Sequence, residues 1–258
     1  MPADRGVTTV VHGIDQLERS HGPVFVVVGV FDGLHRGHAY LLEHLVAEAS
    51  KRAAKPTVIT FDHHPDEILV GAAPPLLCDP DERLELLAEA GVAVTVVQTF
   101  DVALRMTPFD EFIRRIVARV QLAGFLMTPD AAFGHERGGT AETVSELGRT
   151  MGFDVAVLPP FELDGRPVRS SDIRAAIGAG DLVTAERLLG RPYSVVGEMD
   201  EDELIFPMPV ALPPPGPYPA AADGHLTTIY IVPGGSVQVG ERRQGSEGRV
   251  RVTFDARP

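Results

Sequence analysis

From Val24 onward the chain alternates apolar runs of strand length with amphipathic segments of helix length. This alternation predicts βαβ units arranged as a parallel sheet. Five strands are expected, at Val24–Val28, Thr57–Phe61, Val94–Gln98, Gly124–Met127 and Asp154–Leu158. Most are unbroken apolar stretches, as required of strands covered by helices on both faces. The fold class that follows is α/β, a parallel sheet with helices on either side.

The helices are marked by their ends. Asp79-Pro80-Asp81-Glu82 offers an N-cap, a proline at the first helical position and a capping-box glutamate. Leu84, Leu87 and Ala88 then share a face until Gly91 stops the turn. Thr107-Pro108 opens a second helix, with Phe109, Phe112, Ile113, Ile116, Val117 and Val120 as its buried stripe. After Tyr193 the texture changes: an acidic run from Glu198 to Glu203 leads into residues 207–219, where seven of thirteen positions are proline. No helix passes through that segment. Beyond it, Leu226–Val232, Ser236–Glu241 and Arg249–Phe254 read as short strands of a small antiparallel β unit.

Charge and composition narrow the function classes. With 23 Lys plus Arg against 36 Asp plus Glu, the formal charge is −13, and such a surface repels phosphate backbones and anionic lipid. Neither a nucleic acid nor a membrane is an expected partner. No apolar run reaches the roughly 18 residues of a membrane helix, and Met1–Gly13 lacks the basic-then-apolar pattern of a signal peptide, so a cytoplasmic location is expected. The single cysteine, Cys78, reads as a small buried hydrophobe. Asparagine is absent, and the only lysines, Lys51 and Lys55, do not follow glycine, which excludes a Walker A loop. Phosphate chemistry must then rely on histidine, arginine, backbone amides and helix N-termini.

The turn Gly29-Val30-Phe31-Asp32-Gly33-Leu34-His35-Arg36-Gly37-His38 supplies these groups. It follows the first strand and precedes a helix whose Leu41, Leu42, Leu45, Val46 and Ala49 form a buried face. Ligands of open parallel sheets bind beyond the carboxyl ends of the strands, so an anionic ligand is implied here. Gly33 and Gly37 allow close backbone approach, while His35 and His38 can donate ring N–H groups to charge developing during phosphoryl transfer. Downstream, Ser170 and Ser171 precede a short helical segment, Asp172–Ile177, where a hydroxyl can cap the helix and Arg174 can present its planar fork to phosphates. Plainer readings are turn glycines, surface histidines and a capped surface helix with a solvated arginine. Asp62-His63-His64 does not make a dedicated metal site, because adjacent side chains on an extended segment point in opposite directions.

Taken together and in this order, these motifs resemble bacterial FAD synthetases, within the H-x-G-H nucleotidyltransferase superfamily. The family pattern G-x-F-D-G-x-H-x-G-H matches Gly29–His38, T-F-x-P-H-P matches Thr60–Pro65, and G-x-D-F-x-F-G matches the loop ending Asp130-Ala131-Ala132-Phe133-Gly134. I-S-S-T-x-I-R matches Val168–Arg174, and L-L-G-R-P-Y matches Leu188–Tyr193. The resemblance covers about residues 20–195 and implies a Rossmann-like sheet, with a nucleotidyltransferase domain over 1–190 and a small β-rich tail over 191–258, a truncated remnant of a riboflavin kinase-like barrel. It implies transfer of the adenylyl group of ATP, carried with Mg²⁺, to the phosphate of FMN, giving FAD and pyrophosphate. It assigns His35, His38 and Arg174 to catalysis and Gly29, Phe31, Gly33, Gly37, Ser170 and Ser171 to the nucleotide. Phe61, Asp62, His64, Asp130 and Phe133 fall to the flavin; Asp130 also reads as a turn cap after Pro129.

Three departures qualify the match. Thr128 replaces the glycine and Ala131 the first phenylalanine of the flavin loop, removing an aromatic surface worth on the order of 1 kcal/mol. Arg169 stands at the first position of the serine motif. The kinase pattern G-x-P-T-A-N is replaced by Phe206-Pro207-Met208-Pro209-Val210, so no kinase activity is expected. Two alternatives stay open: the same chemistry on another phosphorylated acceptor, and a flavin or nucleotide sensor without turnover.

Overall fold

The computed structural model describes residues 8–240 and 248–256. Met1–Val7 and Glu241, which the sequence reading took into the N-terminal segment and a tail strand, lie outside them. The chain folds as two compact units. The first runs to Phe31 and adds His38–Ala73 and Leu84–Phe161; the second comprises Asp32–Gly37, Pro74–Arg83 and the described residues from Glu162.

The elements of the first unit, in chain order, begin with β1 (Thr9–His12), β2 (Val24–Val28), α1 (Arg36–Lys51), β3 (Lys55–Phe61) and α2 (Pro65–Leu69). They continue with α3 (Pro80–Glu89), β4 (Val94–Gln98), α4 (Val102–Arg105), α5 (Phe109–Arg119) and β5 (Leu122–Met127). The short strands β6 (Ala132–Phe133) and β7 (Gly139–Thr140), then α6 (Ala141–Met151) and β8 (Asp154–Val157), complete it. α1 and α3 begin on residues of the second unit. Six strands form an all-parallel sheet in the order β1-β4-β3-β2-β5-β8.

All five expected strands are present. Val24 and Val26 join Ile59, Val96 and Phe125 in a cluster with Phe112, Ile113 and Ile116 of α5 and Val144 of α6. Strand alternation sends the equally buried Phe25 and Val27 to the opposite face. Both faces are therefore covered, which explains the unbroken apolar runs. The sixth strand, β1, escaped the sequence reading because Val11 is its only buried residue. At α3, Asp79 caps as expected, its Oδ1 accepting from the Asp81 and Glu82 amides at 2.9 and 3.2 Å.

The second unit adds a two-stranded hairpin, β9 (Glu162–Leu163) and β10 (Arg166–Pro167), then α7 (Ser170–Gly178) and α8 (Leu182–Leu189). Its remaining strands are β11 (Ser194–Asp200), β12 (Glu203–Ile205), β13 (Gly216–Ala222), β14 (His225–Ile231), β15 (Val237–Val239) and β16 (Gly248–Phe254). These close into a barrel in the order β11-β12-β15-β14-β13-β16. Closure removes exposed edges. Val195, Leu204, Ile229, Val237, Val252 and Phe254 are buried there.

The barrel extends the three tail strands read from the sequence to six. The acidic run is its first hairpin, β11–β12, turning at Glu201 with φ 51°. β13 holds Pro217 and Pro219 despite their missing N–H groups. The Pro219 carbonyl accepts from the Asp255 amide, so both odd-numbered prolines turn their nitrogens away from the β14 ladder. β16 pairs only from Ala220 onward, so no ladder donor is lost. Earlier in the proline-rich stretch, the Leu76 amide donates to Pro209 O and the Ala211 amide to Leu76 O, both at 2.8 Å.

Two local expectations are corrected. Val117, placed in the buried stripe of α5, is 38% exposed, because it lies one position past Ile116 and off the face that packs on the sheet. The helix predicted over Asp172–Ile177 is α7, starting at Ser170, and its N-cap, Arg169, makes no side-chain cap bond. Ser170 Oγ instead donates to the Asp32 carbonyl at 3.2 Å.

Candidate active site

In the first unit the strand order reverses between β2 and β5, because β3 and β4 follow β2 to one side while β5 and β8 lie on the other. Ligand crevices of open α/β sheets form outside the carboxyl ends of strands at such a switch point. A cavity of about 770 Å³ opens there, walled by Val28–Val30 after β2, Phe61 at the end of β3 and Phe125–Thr128 at the end of β5. Its aromatic wall is held by ring contacts. Phe61 meets Phe100 edge-on at 5.2 Å, and Phe133 leans on Phe112 and Phe125 at 5.5 and 5.7 Å.

Four of the five expected acceptor residues, Phe61, His64, Asp130 and Phe133, line this cavity. His64 is also the N-cap of α2, its Nδ1 accepting from the Asp66 amide at 3.2 Å. Asp130 Oδ1 accepts from Thr128 Oγ1 at 2.8 Å. Asp62 is not in the wall; its carboxylate accepts from Thr99 Oγ1 (2.7 Å) and from the His63 (2.8 Å) and Phe100 (3.1 Å) amides. Burial pushes the Asp62 carboxyl up, but these bonds outweigh it and hold it below the usual range. The carboxylate thus ties the end of β3 to the segment after β4. Thr128 and Ala131, the two departures from the flavin-loop pattern, both line the cavity.

Sequence reasoning missed the two arginines of the wall, Arg105 and Arg137. Both donate to main-chain carbonyls, of Ile68 (3.3 Å) and Asp130 (3.0 Å). No short-range pattern marked them, since they come from α4 and the loop after β6. Among the described residues no cluster of three or more His, Cys, Asp or Glu is placed to hold a metal ion, and no helix is long and apolar enough to cross a membrane.

The H-x-G-H turn runs from the first unit into the second and back. Gly29 belongs to the cavity wall, and Phe31 is buried at φ 53°, its ring 5.0 Å from that of His38. In the second unit, Gly33 sits at φ +78° with its missing Cβ 2.8 Å from Leu77 Cβ. A Cβ on Gly37 would stand 3.1 Å from the His35 ring and 3.3 Å from Val168 O. Gly33 is thus required for packing inside the protein, and a side chain at Gly37 would crowd the His35 ring and Val168 O, whatever either glycine also does for a ligand.

His35 is 5% exposed. Burial first, then the Arg191 and Arg174 guanidinium charges, lower its pKa to about 4. The imidazole is neutral at pH 7, and the positive charge around it belongs to the arginines. Arg191, the arginine of the L-L-G-R-P-Y stretch, donates to Leu34 O at 3.2 Å. Arg174 Nη2 meets Asp32 Oδ2 at 2.5 Å, and its Nε donates to Pro75 O at 2.7 Å. Ser171 is exposed, one residue beyond the Ser170–Asp32 contact. Cys78 is buried as expected, accepts from the Gly33 amide, and has its thiol pKa pushed up to about 12 by burial and by Asp32.

These features define a Rossmann-like α/β protein with a ligand crevice at its switch point and an appended β barrel. The chain belongs to the FAD synthetase family, whose model matches residues 17–172. It is 30% identical over 191 residues to the bifunctional riboflavin kinase/FMN adenylyltransferase of Pseudomonas fluorescens, and 31% identical over 193 residues to that of Escherichia coli K12. Each match takes in 74% of this chain but only 61% and 62% of the relative. The chain thus spans about three-fifths of the length of these relatives. A solved structure described as a macrolide-efflux protein from Streptococcus pneumoniae shares the fold, with a TM-score of 0.80 at 22% identity over 96% of this chain and 89% of that one.

Proposed function

We propose that this chain is an adenylyltransferase that joins ATP and FMN into FAD. An oxygen of the FMN phosphate attacks the α-phosphorus of ATP in line, the bond to the bridging oxygen breaks, and pyrophosphate leaves. The observation that carries this reading is the aromatic-walled cavity of about 770 Å³ at the switch point of a FAD synthetase family member. Its size suits a tricyclic ring system. No covalent intermediate is needed, so catalysis is positioning and electrostatic stabilisation.

In this reading His35, neutral at working pH, donates an N–H bond to phosphate oxygens without presenting a second cation. His38 does the same for charge developing at the α-phosphate. Arg174 receives the leaving pyrophosphate, with Arg191 adding field and Ser170 and Ser171 lying beside it in sequence. Phe61 and Phe133 supply stacking surface for the acceptor. Mg²⁺ arrives with ATP, keeping most of its waters. Residues 1–190, with Arg191 at their border, carry this activity, and the barrel that follows makes no FMN from riboflavin, because Phe206–Val210 lacks the hydroxyl and amide of the kinase pattern.

The test is incubation of purified protein with ATP, Mg²⁺ and FMN, following FAD by chromatography and pyrophosphate by a coupled assay. Stoichiometric FAD and pyrophosphate support the reading. Thr128 and Ala131 in the cavity wall favour one second reading, the same transfer to another phosphate ester. Inert FMN beside a reactive ester from a panel would establish that alternative, and FMN made from riboflavin would refute the statement about the barrel.

A further inference from the structure

We propose that Asp32 is a positioning residue that fixes the guanidinium plane of Arg174 for the leaving pyrophosphate. The inference rests on the reading of Arg174 given above and concerns a residue that reading leaves without a role. A carboxylate beside an anion-binding arginine would ordinarily compete for it. The geometry here divides the guanidinium instead. Asp32 Oδ2 takes one N–H of Nη2 at 2.5 Å, and Pro75 O takes the Nε proton at 2.7 Å. Of the five N–H donors of an arginine, the two on Nη1 and one on Nη2 are left for a ligand. The engaged edge is the Nε–Nη2 edge.

Asp32 itself is immobilised. Its side chain is 4% exposed, against 17% for Arg174. Oδ1 accepts from the Leu77 and Cys78 amides at 2.9 and 3.3 Å, and Oδ2 from Leu77 at 3.1 Å. Ser170, which opens the helix carrying Arg174, donates to the Asp32 carbonyl. Main chain and side chain of one residue thus hold both the start of α7 and the fork four residues along it. The neighbouring Leu76 is itself bonded to Pro209 and Ala211, so the strap presenting the two amides is also pinned. An arginine held in one plane loses less freedom on meeting a phosphate than a solvated one.

The experiment is a double-mutant cycle on the full chain with Asp32→Asn and Arg174→Ala, reading kcat and KM for ATP and inhibition by pyrophosphate. Arg174→Ala is expected to lower kcat/KM for ATP roughly 100- to 1,000-fold, and Asp32→Asn roughly 10- to 100-fold with weaker pyrophosphate inhibition. In the Arg174→Ala background, Asp32→Asn should have no further effect beyond about twofold. FMN affinity should stay unchanged throughout. Losses that multiply in the double variant overturn the proposal while leaving the role of Arg174 intact. A fully active Arg174→Ala protein sinks that role and the proposal with it. Should Asp32→Asn fail to fold, Asp32→Glu, which keeps the charge but displaces it by one methylene, takes its place. Kinetics equal to the parent despite a lowered melting temperature would then mark Asp32 as purely structural.

Discussion

The depressed pKa of His35 makes folding stability depend on pH through one identifiable group. In the folded chain the imidazole titrates at about 4, against 6.5 in the open chain. Between those values the unfolded state binds a proton that the folded state refuses, so stability rises with pH there. The contribution is fully present above 6.5 and is lost as pH falls toward 4. Linkage puts the loss at about 2 kcal/mol by pH 5 and about 3 kcal/mol by pH 4. The ring is 5% exposed, so solvent screening requires little discount. His35→Gln keeps an N–H donor and removes the titration. Urea unfolding, followed by tyrosine fluorescence in this chain without tryptophan, gives the parent-minus-variant difference at pH 7.5 and 5.0. That difference cancels the carboxylates common to both proteins. The parent should lose about 2 kcal/mol more than the variant over this interval. A differential below about 0.5 kcal/mol would mean that His35 takes its proton near the ordinary value, refuting the assignment of a neutral donor flanked by two arginines.

Further consequences are open to measurement. His38→Ala should reduce kcat roughly 100- to 1,000-fold in the FAD-forming assay, with the melting temperature within a few degrees of the parent; full activity would end its catalytic assignment. Glu82, 1% exposed, accepts from Ser194 Oγ at 3.1 Å and from the half-exposed Arg251 at 2.9 Å. Glu82→Ala should therefore cost about 2 kcal/mol, seen as a melting temperature lowered by roughly 4–8 °C, with Glu82→Gln milder. With its thiol pushed up to about 12, Cys78 should resist thiol reagents at pH 8 in the native protein and react once urea unfolds it; rapid labelling without denaturant would contradict its burial.

Sequence alone determined the central strands, α3 with its Asp79 cap, the position of α5 and the family, because each rests on local signals. Unbroken valine runs have no other low-energy home than a sheet covered on both faces, and Asp79 and Pro80 act within one helical turn. The same is true of the H-x-G-H turn, whose residues are neighbours along the chain. Tertiary structure decided what depended on distant partners. Thr9–His12 became a strand because β4 was there to pair with it, and Pro217 and Pro219 entered a barrel because their nitrogens face away from the β14 ladder. Asp62 turned to Thr99 and Phe100, 37 and 38 residues away, so its place in a motif did not put it in the cavity wall. Arg174 found its carboxylate 142 residues upstream. Backbone propensity is set by a few neighbours, whereas the direction of a charged side chain is set by whichever remote segment meets it at lowest electrostatic and desolvation cost.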